Sequence, residues 1–422
     1  MQKDTISYKN IFAALIGNCL EWYDYSLAGL IAPIFAITFF GEVSAFGKIV
    51  FPLMIFGLGT FFRPIGAILF AYFGDRAGRR ATLIFSISIV VIGMLSLGFL
   101  PPYATIGITA TILFTLINIL NGLSFGAELP VAVSLLYESS PKTHRTYVTS
   151  LIYCGALFGM MLGSFDFSFF TIEYGMNTSS MWRLPFFMAG ILGIIGFILR
   201  KKIHESPLFL EAKHKNELRS SPTLDVLREH PKEYFICCAL AFPEAIAFHL
   251  ILIFTPTLHY KFLGRNLTDS LILSMLTFII AFLMIPFFGK LANRIGKYKL
   301  LLYSSWSFVL LTVPLYDLII SMDFGVALTG QIILSLLLST FLAPYPASLS
   351  CLFPTYLRCS GISLSHNVVV AIFGGTAPLL VATLIHFTGI YQMPAFYIAF
   401  SFLCSLLVLL SLKDRHKQIL SN

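Results

Sequence analysis

The sequence predicts an all-α membrane protein with twelve transmembrane helices, arranged in two pseudo-symmetric six-helix halves. Three observations predict this fold class: the composition, the spacing of the apolar segments and an internal repeat. Of the 422 residues, 57% are hydrophobic and only 11% are charged, with a mean hydropathy of +0.85. A soluble domain carries about 25% charged residues, so this chain cannot cover a water-facing surface with polar groups. The composition excludes a soluble enzyme, a nucleic-acid binder and a disordered protein.

Apolar segments long enough to cross a bilayer recur along the whole chain. A transmembrane helix needs about 20 apolar residues to cross a hydrocarbon core of about 30 Å. Glu21 and Asp24 interrupt the first such segment and no small-residue cleavage site follows it, so we expect a membrane span there rather than a signal peptide. The twelve predicted spans begin near Ile11, Ile49, Ala81, Thr105, Tyr147, Arg183, Tyr234, Ser270, Leu300, Gly325, Gly361 and Met393.

Basic residues are divided unequally between alternate loops. Of the 28 Lys and Arg residues, 23 fall on one side, four fall on the other, and Arg63 alone falls within a predicted span. The positive-inside rule predicts that both termini and the long middle loop lie in the cytoplasm. The net charge of +8 is therefore a signal of topology and requires no nucleic-acid partner.

The sequence carries no pattern typical of a metal or nucleotide site. Its seven Cys residues fall in or beside apolar spans without the spacing of metal ligands. No Gly-x4-Gly-Lys phosphate loop occurs, which argues against ATP as the energy source. We expect no enzyme activity, no metal and no cofactor.

Two loop motifs recur at nearly the same offset. Residues 74–80 read GDRAGRR after the second span, and residues 292–297 read ANRIGK after the eighth, 218 positions later. Arg145 and Arg358 each lie four residues beyond a Pro, after the fourth and tenth spans, and are 213 positions apart. Such a repeat predicts two six-helix halves in parallel orientation, related by an axis along the membrane normal.

The segment between the two halves is rich in Lys, Glu, His and Ser, which is typical of a solvated connector. We therefore expect an N-terminal six-helix half at residues 1–200, a cytoplasmic connector at 201–231 and a C-terminal six-helix half at 232–422.

Five stretches resemble the major facilitator superfamily, and in particular its metabolite:proton symporter branch. They are GNCLEWYDY at 17–25, FRPIG at 62–66 running into GDR at 74–76, GLSFGAE at 122–128, WRLPF at 182–186 continuing to HESP at 204–207, and FP at 353–354 through Arg358 to GGTAP at 374–378. The branch includes proline/betaine, citrate, α-ketoglutarate and shikimate carriers. The resemblance implies the major facilitator fold and a proton-coupled secondary active symporter that imports a small polar metabolite by alternating access.

The fourth span departs from this branch. Many members carry Arg-x-x-Gln-Gly there, whereas this chain has Asn118 and Asn121 in place of the Arg and the Gln. A carrier of di- or tricarboxylates is expected to keep a cation at its site. The favoured substrate is therefore a small zwitterion, such as an amino acid or a betaine-like osmolyte, with a small organic acid as the second choice.

Two other functions stay open at the level of the sequence. One is a proton antiporter that exports amphiphiles, but such antiporters commonly have a Gly-Pro pair in the fifth span. That span has Gly155, Gly159 and Gly163 as a helix-packing surface and no such Pro, which favours import. The other is a transporter-derived receptor, which would require added signalling domains.

Ionisable residues inside the spans are the first candidates for the transport site, since each costs about 2.5 to 3.5 kcal/mol to insert. Glu21 and Asp24 are three residues apart, share one helix face and lie about 18 to 22 Å along the first span. Burial disfavours the charged form of a carboxyl group, which suits the loading and release of a proton. We expect Asp24, assisted by Glu21, to carry the proton or bind the substrate. The alternative is a structural network with Arg63.

Further candidates lie in later spans. Glu128 is expected to act in gating or coupling, and Asp166 to be solvated at the outer mouth. Glu244 and His249 lie between two prolines of the seventh span that permit bending, and each is a candidate for coupling or substrate contact. The alternative for both is a packed, hydrogen-bonded role. The neutral residues that suit a zwitterion, or that could instead join helices, are Asn18, Asn118, Asn121, Tyr153 and Asn367.

The repeated loops predict a gate at the cytoplasmic face. Its glycines permit a tight turn, and Asp75 is expected to accept backbone N–H groups at a helix N-terminus of the opposite half. The alternative, ordinary loop charge, explains Arg80 but not Asp75. The predicted gate residues are Gly74, Asp75, Gly78, Arg79, Glu138, Arg145 and Arg358.

The predicted partners are a small-molecule substrate, protons and the lipid bilayer. We expect a monomer in the plasma membrane, which is the inner membrane of a bacterium.

Overall fold

The computed structural model describes residues 8–41, 45–174 and 181–421, and all regular secondary structure within these ranges is helical. Twelve long helices follow one another along the chain. They are α1 (Tyr8–Phe39), α2 (Ala45–Arg76), α3 (Arg79–Phe99), α4 (Ile108–Ser139), α5 (Arg145–Tyr174), α6 (Leu184–Lys201), α7 (Pro231–Phe262), α8 (Leu267–Ile295), α9 (Lys297–Ile319), α10 (Phe324–Leu352), α11 (Thr355–Thr388) and α12 (Met393–Ser411).

The length and composition of these helices agree with the predicted spans. Among the described residues, ten helical segments, which correspond to α3 through α12, are long and apolar enough to cross a membrane. The first two helices are 32 residues long each, which at 1.5 Å per residue exceeds the thickness of the hydrocarbon core. The twelve-helix all-α prediction is confirmed.

Three of the spans contain breaks in regular α-helical geometry. Helix α7 has Pro243 in its interior and widens into a π-helical stretch at Phe248–Phe254. Helix α11 widens in the same way at Val370–Gly374. Helix α10 is interrupted by a turn ahead of Tyr345–Leu352. A π-helical stretch replaces the regular i to i+4 backbone hydrogen bonds of an α-helix with i to i+5 bonds. Such stretches are frequent at functional sites.

The described chain divides into two compact units. The N-unit comprises residues 8–139 and 155–220, and the C-unit comprises residues 140–154 and 221–421. Helix α5 therefore contributes its first ten residues to the C-unit and the rest to the N-unit. The predicted connector contains two short helices, Pro207–His214 in the N-unit and Pro222–Glu229 in the C-unit. The predicted boundaries at residues 200 and 232 stay predictions.

Helices α2 and α4 of the N-unit pack backbone against backbone. A Cβ atom added at Gly66 would lie 1.9 Å from the carbonyl oxygen of Leu123, and one at Gly122 would lie 2.0 Å from that of Gly59. One added at Gly126 would lie 2.2 Å from the carbonyl oxygen of Arg63. Small residues permit this close approach of two membrane helices. Here they determine the position of the Arg63 backbone relative to α4.

Helices α1 and α5 use the predicted glycine surface in the same way. A Cβ atom at Gly159 would lie 2.1 Å from the carbonyl oxygen of Cys19. Gly155 and Gly163 approach the backbone of the same helix at Leu15 and Tyr23. The Gly-x3-Gly-x3-Gly spacing in α5 is therefore a helix-packing surface, as predicted, and it positions the acidic face of α1.

Candidate functional site

The N-unit brings the predicted acid pair of α1 to the predicted Arg of α2. Arg63 Nη1 lies 2.9 Å from Glu21 Oε1, and both side chains are buried. The guanidinium also lies over the ring of Phe125, 5.5 Å from its centroid. Asp24 is buried within electrostatic range of Arg63 and faces the Asn121 side chain.

This cluster has one more acid than base. If Glu21 and Asp24 are both ionised, Arg63 neutralises only one of the two charges. A buried charge without a partner is unfavourable by several kcal/mol, so the second carboxyl group requires a proton or an external cation. The arrangement therefore allows one proton to bind and leave without breaking the Arg63 to Glu21 ion pair.

A second buried carboxylate in the N-unit, Glu128 of α4, is paired with Arg200 of α6. Arg200 Nη1 lies 3.1 Å from Glu128 Oε2, and Nη2 contacts Oε1. Ser86 Oγ lies 3.0 Å from Oε2 of the same carboxylate. Arg200 also donates hydrogen bonds of 2.9 and 2.7 Å to the carbonyl oxygens of Ala13 and Leu83. One guanidinium thus joins α1, α3, α4 and α6.

The sequence analysis missed the burial of Arg200. This residue is one of the 23 Lys and Arg counted on the more basic side, and Arg63 was taken as the single Arg within a predicted span. The structure places the Arg200 side chain fully buried in the last turn of α6. An Arg at the end of an apolar run has the same local sequence whether it points to the cytoplasm or back into the helices. The available signal was Glu128, a buried acid that needs a counter-charge.

Asp166 of α5 differs from the expected solvated acid at the outer mouth. Its Oδ2 accepts a 2.6 Å hydrogen bond from the Tyr23 hydroxyl of α1, and its side chain is buried. The same hydroxyl lies 3.0 Å from the carbonyl oxygen of Pro185. Asp166 therefore takes part in the contact between α1 and α5.

The C-unit holds a third acidic cluster around Glu244 of α7. Its Oε1 accepts a 2.8 Å hydrogen bond from the Tyr153 hydroxyl. Its Oε2 lies 3.7 Å from Nδ1 of His366 on α11. That nitrogen lies 2.8 Å from the hydroxyl of Tyr345 on α10. The structure therefore joins two predicted residues, Glu244 and Tyr153, with two that the sequence analysis missed, His366 and Tyr345.

The remaining predicted lining residues form local contacts. His249 Nδ1 lies 2.7 Å from the carbonyl oxygen of Ala245, one turn earlier in α7. Asn118 and Asn367 donate side-chain hydrogen bonds of 2.8 and 3.1 Å to carbonyl oxygens of their own helices. Asn18 is buried in α1. Their roles in binding a substrate stay predictions.

The predicted gate residues of the N-unit form a bidentate ion pair at the α2 to α3 turn. Arg79 Nε and Nη2 lie 3.1 and 3.0 Å from the two carboxylate oxygens of Glu138. Arg79 Nη1 donates to the carbonyl oxygen of Gly74 at 2.7 Å and lies 3.5 Å from Asp75 Oδ1. Gly78 has a φ of +107°, which lies in the region that favours glycine.

Two residues of the HESP segment complete this network. The carboxylate of Glu205 accepts 3.1 Å hydrogen bonds from the backbone N–H groups of Arg79 and Arg80, so it caps the N-terminus of α3. Ser206 donates its hydroxyl to Glu138. The sequence analysis quoted this segment only for its resemblance and assigned no role to either residue.

The C-unit contains the counterparts of these residues in the repeat. Asn293 is the counterpart of Asp75 at the offset of 218, and its side chain accepts a 3.2 Å hydrogen bond from the backbone N–H of Thr146 in the first turn of α5. Arg358 donates hydrogen bonds of 2.8 and 3.1 Å to the carbonyl oxygens of Ser350 and Phe353. Arg145 Nε donates a hydrogen bond of 3.4 Å to the carbonyl oxygen of Ser140.

A protein-family model described as Major Facilitator Superfamily matches residues 14–365. The chain belongs to the major facilitator superfamily. It is similar to a proline/betaine transporter of Salmonella typhimurium, with 30% identity over 421 residues that cover 96% of this chain and 83% of the relative. A Staphylococcus aureus (strain COL) protein, provisionally named a proline/betaine transporter, is 31% identical over 92% of this chain and 84% of its own length.

Solved structures of this superfamily share the fold. A proton:xylose symporter, XylE, bound to 6-bromo-6-deoxy-D-glucose superimposes with a TM-score of 0.79 at 15% identity, covering 96% of this chain and 94% of the symporter. XylE from E. coli in a partially occluded inward-open conformation gives a TM-score of 0.69 at 15% identity, covering 95% and 96% of the two chains.

Membership of the superfamily gives the general function. This member is a multi-pass membrane transporter of a small-molecule substrate and not an enzyme. Among the described residues, no three His, Cys, Asp or Glu side chains form a group that could hold a metal ion.

Proposed function

We propose that this protein is a proton-coupled symporter that imports a small zwitterion of the proline or betaine type. The observation that carries the proposal is similarity over nearly the whole chain to relatives named proline/betaine transporters, at 31% and 30% identity. Asn118 supports the same substrate class, because a neutral amide stands where many members of the branch have an Arg, and a carrier of di- or tricarboxylates is expected to keep a cation there.

The cluster of Glu21, Asp24 and Arg63 supports proton coupling. Arg63 pairs with Glu21 at 2.9 Å, which leaves Asp24 as the carboxyl group without a direct ion pair among the described residues. Protonation of Asp24 makes the cluster neutral, and release of the proton restores a net negative charge. Asp24 therefore takes a proton from the side of higher proton activity and releases it inside, while the Glu21 to Arg63 pair holds α1 against α2. The proton gradient is the energy source, and the mechanism needs no cofactor.

The test is uptake of labelled proline and glycine betaine into proteoliposomes under an imposed proton gradient. Asp24→Asn mimics the permanently protonated carboxyl group. Gradient-driven accumulation should be lost in this variant, whereas exchange of labelled for unlabelled substrate should persist, because exchange requires no net release of a proton.

The matched control is Glu217→Gln, which removes one exposed carboxylate from the connector. This variant should accumulate substrate like the wild type. Normal proton-driven uptake by a folded Asp24→Asn protein would contradict the coupling role, and accumulation of neither substrate by the wild type would contradict the substrate class.

We also propose that the protein functions as a monomer in the inner membrane with both termini in the cytoplasm. The basis for the orientation is the unequal division of Lys and Arg between alternate loops. In a cysteine-free background, a single Cys at the exposed position Lys215 should resist an impermeant thiol reagent added outside, and one at Lys261 should react. Outside labelling at Lys215 would reverse the orientation.

A further inference from the structure

The Glu244 cluster in the C-unit contains a carboxylate oxygen without a donor. Oε1 accepts the Tyr153 hydroxyl at 2.8 Å, but Oε2 accepts no hydrogen bond from any described residue, and it is buried. The Nδ1 atom of His366 lies 3.7 Å from this oxygen, outside hydrogen-bond distance but close enough for an ion pair when the imidazole is protonated. A buried carboxylate oxygen without a donor is energetically unfavourable unless a proton or a positively charged group binds there.

The groups around Glu244 do not supply a fixed cation. Within the described part of the chain, Glu244 has no ion pair with Lys or Arg, in contrast to Glu21 and Glu128. His366 is the only cation candidate, and its Nδ1 is already within 2.8 Å of the Tyr345 hydroxyl. Among the described residues, the cluster therefore has an acid and no permanently charged cation beside it.

Two aromatic rings pack beside Tyr153, whose hydroxyl binds this acid. The ring of Tyr153 lies 6.0 Å from that of Phe248 and 6.4 Å from that of Tyr345, measured between centroids, and the ring planes are tilted to one another by 42° and 51°. All three side chains are almost fully buried. Tilted aromatic faces beside a carboxylate are the combination that attracts an ammonium or a quaternary ammonium group, through the ring quadrupoles and the charge.

We propose that Glu244, with Tyr153, Tyr345 and Phe248, binds the positively charged nitrogen group of the substrate. This inference rests on the proposed function and deepens it, because it assigns the cation of the zwitterion to the C-unit. The aromatic faces accept a trimethylammonium group, which has no hydrogen to donate, and the free Oε2 of Glu244 accepts the N–H group of a secondary ammonium such as that of proline. His366 and Tyr345 hold the far side of the cluster in place.

The test compares glycine betaine with its carbon isostere 3,3-dimethylbutyrate, which lacks the positive charge, as inhibitors of labelled proline exchange in proteoliposomes. The two compounds have the same shape and carboxylate and differ in the positive charge. The wild type should prefer glycine betaine by about 10- to 100-fold, which is the range expected for a desolvated cation beside aromatic rings and a carboxylate. In Glu244→Gln the preference for glycine betaine should fall by about tenfold, to the part that the aromatic rings alone supply.

A second, milder variant tests the same site even if Glu244→Gln does not fold. Tyr153→Phe keeps the aromatic ring but removes the donor to Glu244 Oε1, so it should retain the preference for the cation with a loss of about threefold to tenfold in affinity. Glu217→Gln in the connector serves as the control for the charge change and should match the wild type.

The outcomes separate this inference from the proposed function. If the wild type exchanges proline and Glu244→Gln keeps the full preference for glycine betaine, the cation site is overturned and the symporter proposal stands. If Glu244→Gln binds and exchanges substrate normally but loses gradient-driven accumulation, Glu244 carries the proton and the cation site is again overturned. If the wild type binds neither proline nor glycine betaine, the proposed function fails first.

Discussion

Glu128 and Glu244 are both buried glutamates of membrane-spanning helices, yet the structure surrounds them differently. Glu128 in the N-unit faces a bidentate Arg200 and the Ser86 hydroxyl, so both of its oxygens are engaged. Glu244 in the C-unit has one oxygen bound by Tyr153 and one without a donor among the described residues. An acid whose oxygens are all engaged holds helices together, whereas an acid with a free oxygen can bind a transported species.

The largest effect should follow from neutralising the fully paired acid. Glu128→Gln leaves the Arg200 guanidinium buried without its counter-charge, and we expect it to lower the free energy of unfolding by about 3 to 5 kcal/mol. Glu244→Gln removes no ion pair with Lys or Arg among the described residues, so its loss should stay within about 1 kcal/mol. Thermal unfolding of the two purified variants measures the difference, and equal losses would remove the distinction.

A double variant sharpens this result. Glu128→Gln combined with Arg200→Gln removes both charges, so it should recover part of the stability lost in Glu128→Gln alone. If the stability lost by the double variant, relative to the wild type, equals the sum of the two single losses, the two side chains are not coupled.

A somewhat smaller effect is expected from Gly17→Ala on α1. A Cβ atom there would lie 2.0 Å from Arg200 Nη2 and 2.1 Å from Glu128 Oε1, so the pair would have to move. We expect a loss of about 1 to 3 kcal/mol in unfolding free energy, as for other overpacked sites. Gly325→Ala is the control, because the nearest atom to its added Cβ is 3.3 Å away. Similar melting temperatures for the two variants would refute the crowding at Gly17.

An intermediate case is Glu205, a partly exposed carboxylate that binds two backbone N–H groups at the start of α3. Glu205→Gln keeps one acceptor and loses the charge that favours a helix N-terminus. The expected loss is about 1 kcal/mol in unfolding free energy. Glu217→Gln in the same segment is the control, and a Glu205→Gln protein as stable as that control would exclude a capping role.

The smallest effect concerns the fully exposed pair of Glu211 and Lys215, whose charged atoms are 2.6 Å apart. The hydrogen bond and charge of Lys215 lower the pKa of Glu211 in the folded protein. A lowered pKa means that the pair contributes only above the unfolded pKa of the carboxyl group and that its contribution is lost as the pH falls. Because water screens both charges, Glu211→Gln should melt at the wild-type temperature at pH 7. A clear decrease in the melting temperature would show that this ion pair stabilises the protein despite its exposure to water.

The sequence was sufficient for the parts of the site that depend on local spacing. Glu21 and Asp24 had to share a face because they are three residues apart on a helix. The structure shows an ion pair of Arg63 with Glu21, and the choice between a coupling role and a structural network for the acid pair stays a prediction. The predicted start of each span also lies in or within a few residues of the observed helices, because apolar length alone determines it.

Contacts between residues distant in sequence were not predictable in this way. His366 lies more than a hundred residues beyond Glu244, and no local pattern in α11 identifies it as a partner. Arg200 was misassigned because the end of an apolar run does not show the direction of its side chain. Glu205 was part of a quoted motif, but the helix N-terminus that it caps lies 125 positions earlier in the chain.

The contact between α2 and α4 at Gly66, Gly122 and Gly126 has a mechanical consequence. A contact made of main-chain atoms has no rotamers to exchange, so the spacing between the two helices has a single value instead of a range. Arg63 contributes its own carbonyl oxygen to this contact. Its guanidinium therefore extends from a helix whose spacing from α4 is narrowly defined. A methyl group at any of the three glycines would push α2 and α4 apart and displace the Arg63 side chain.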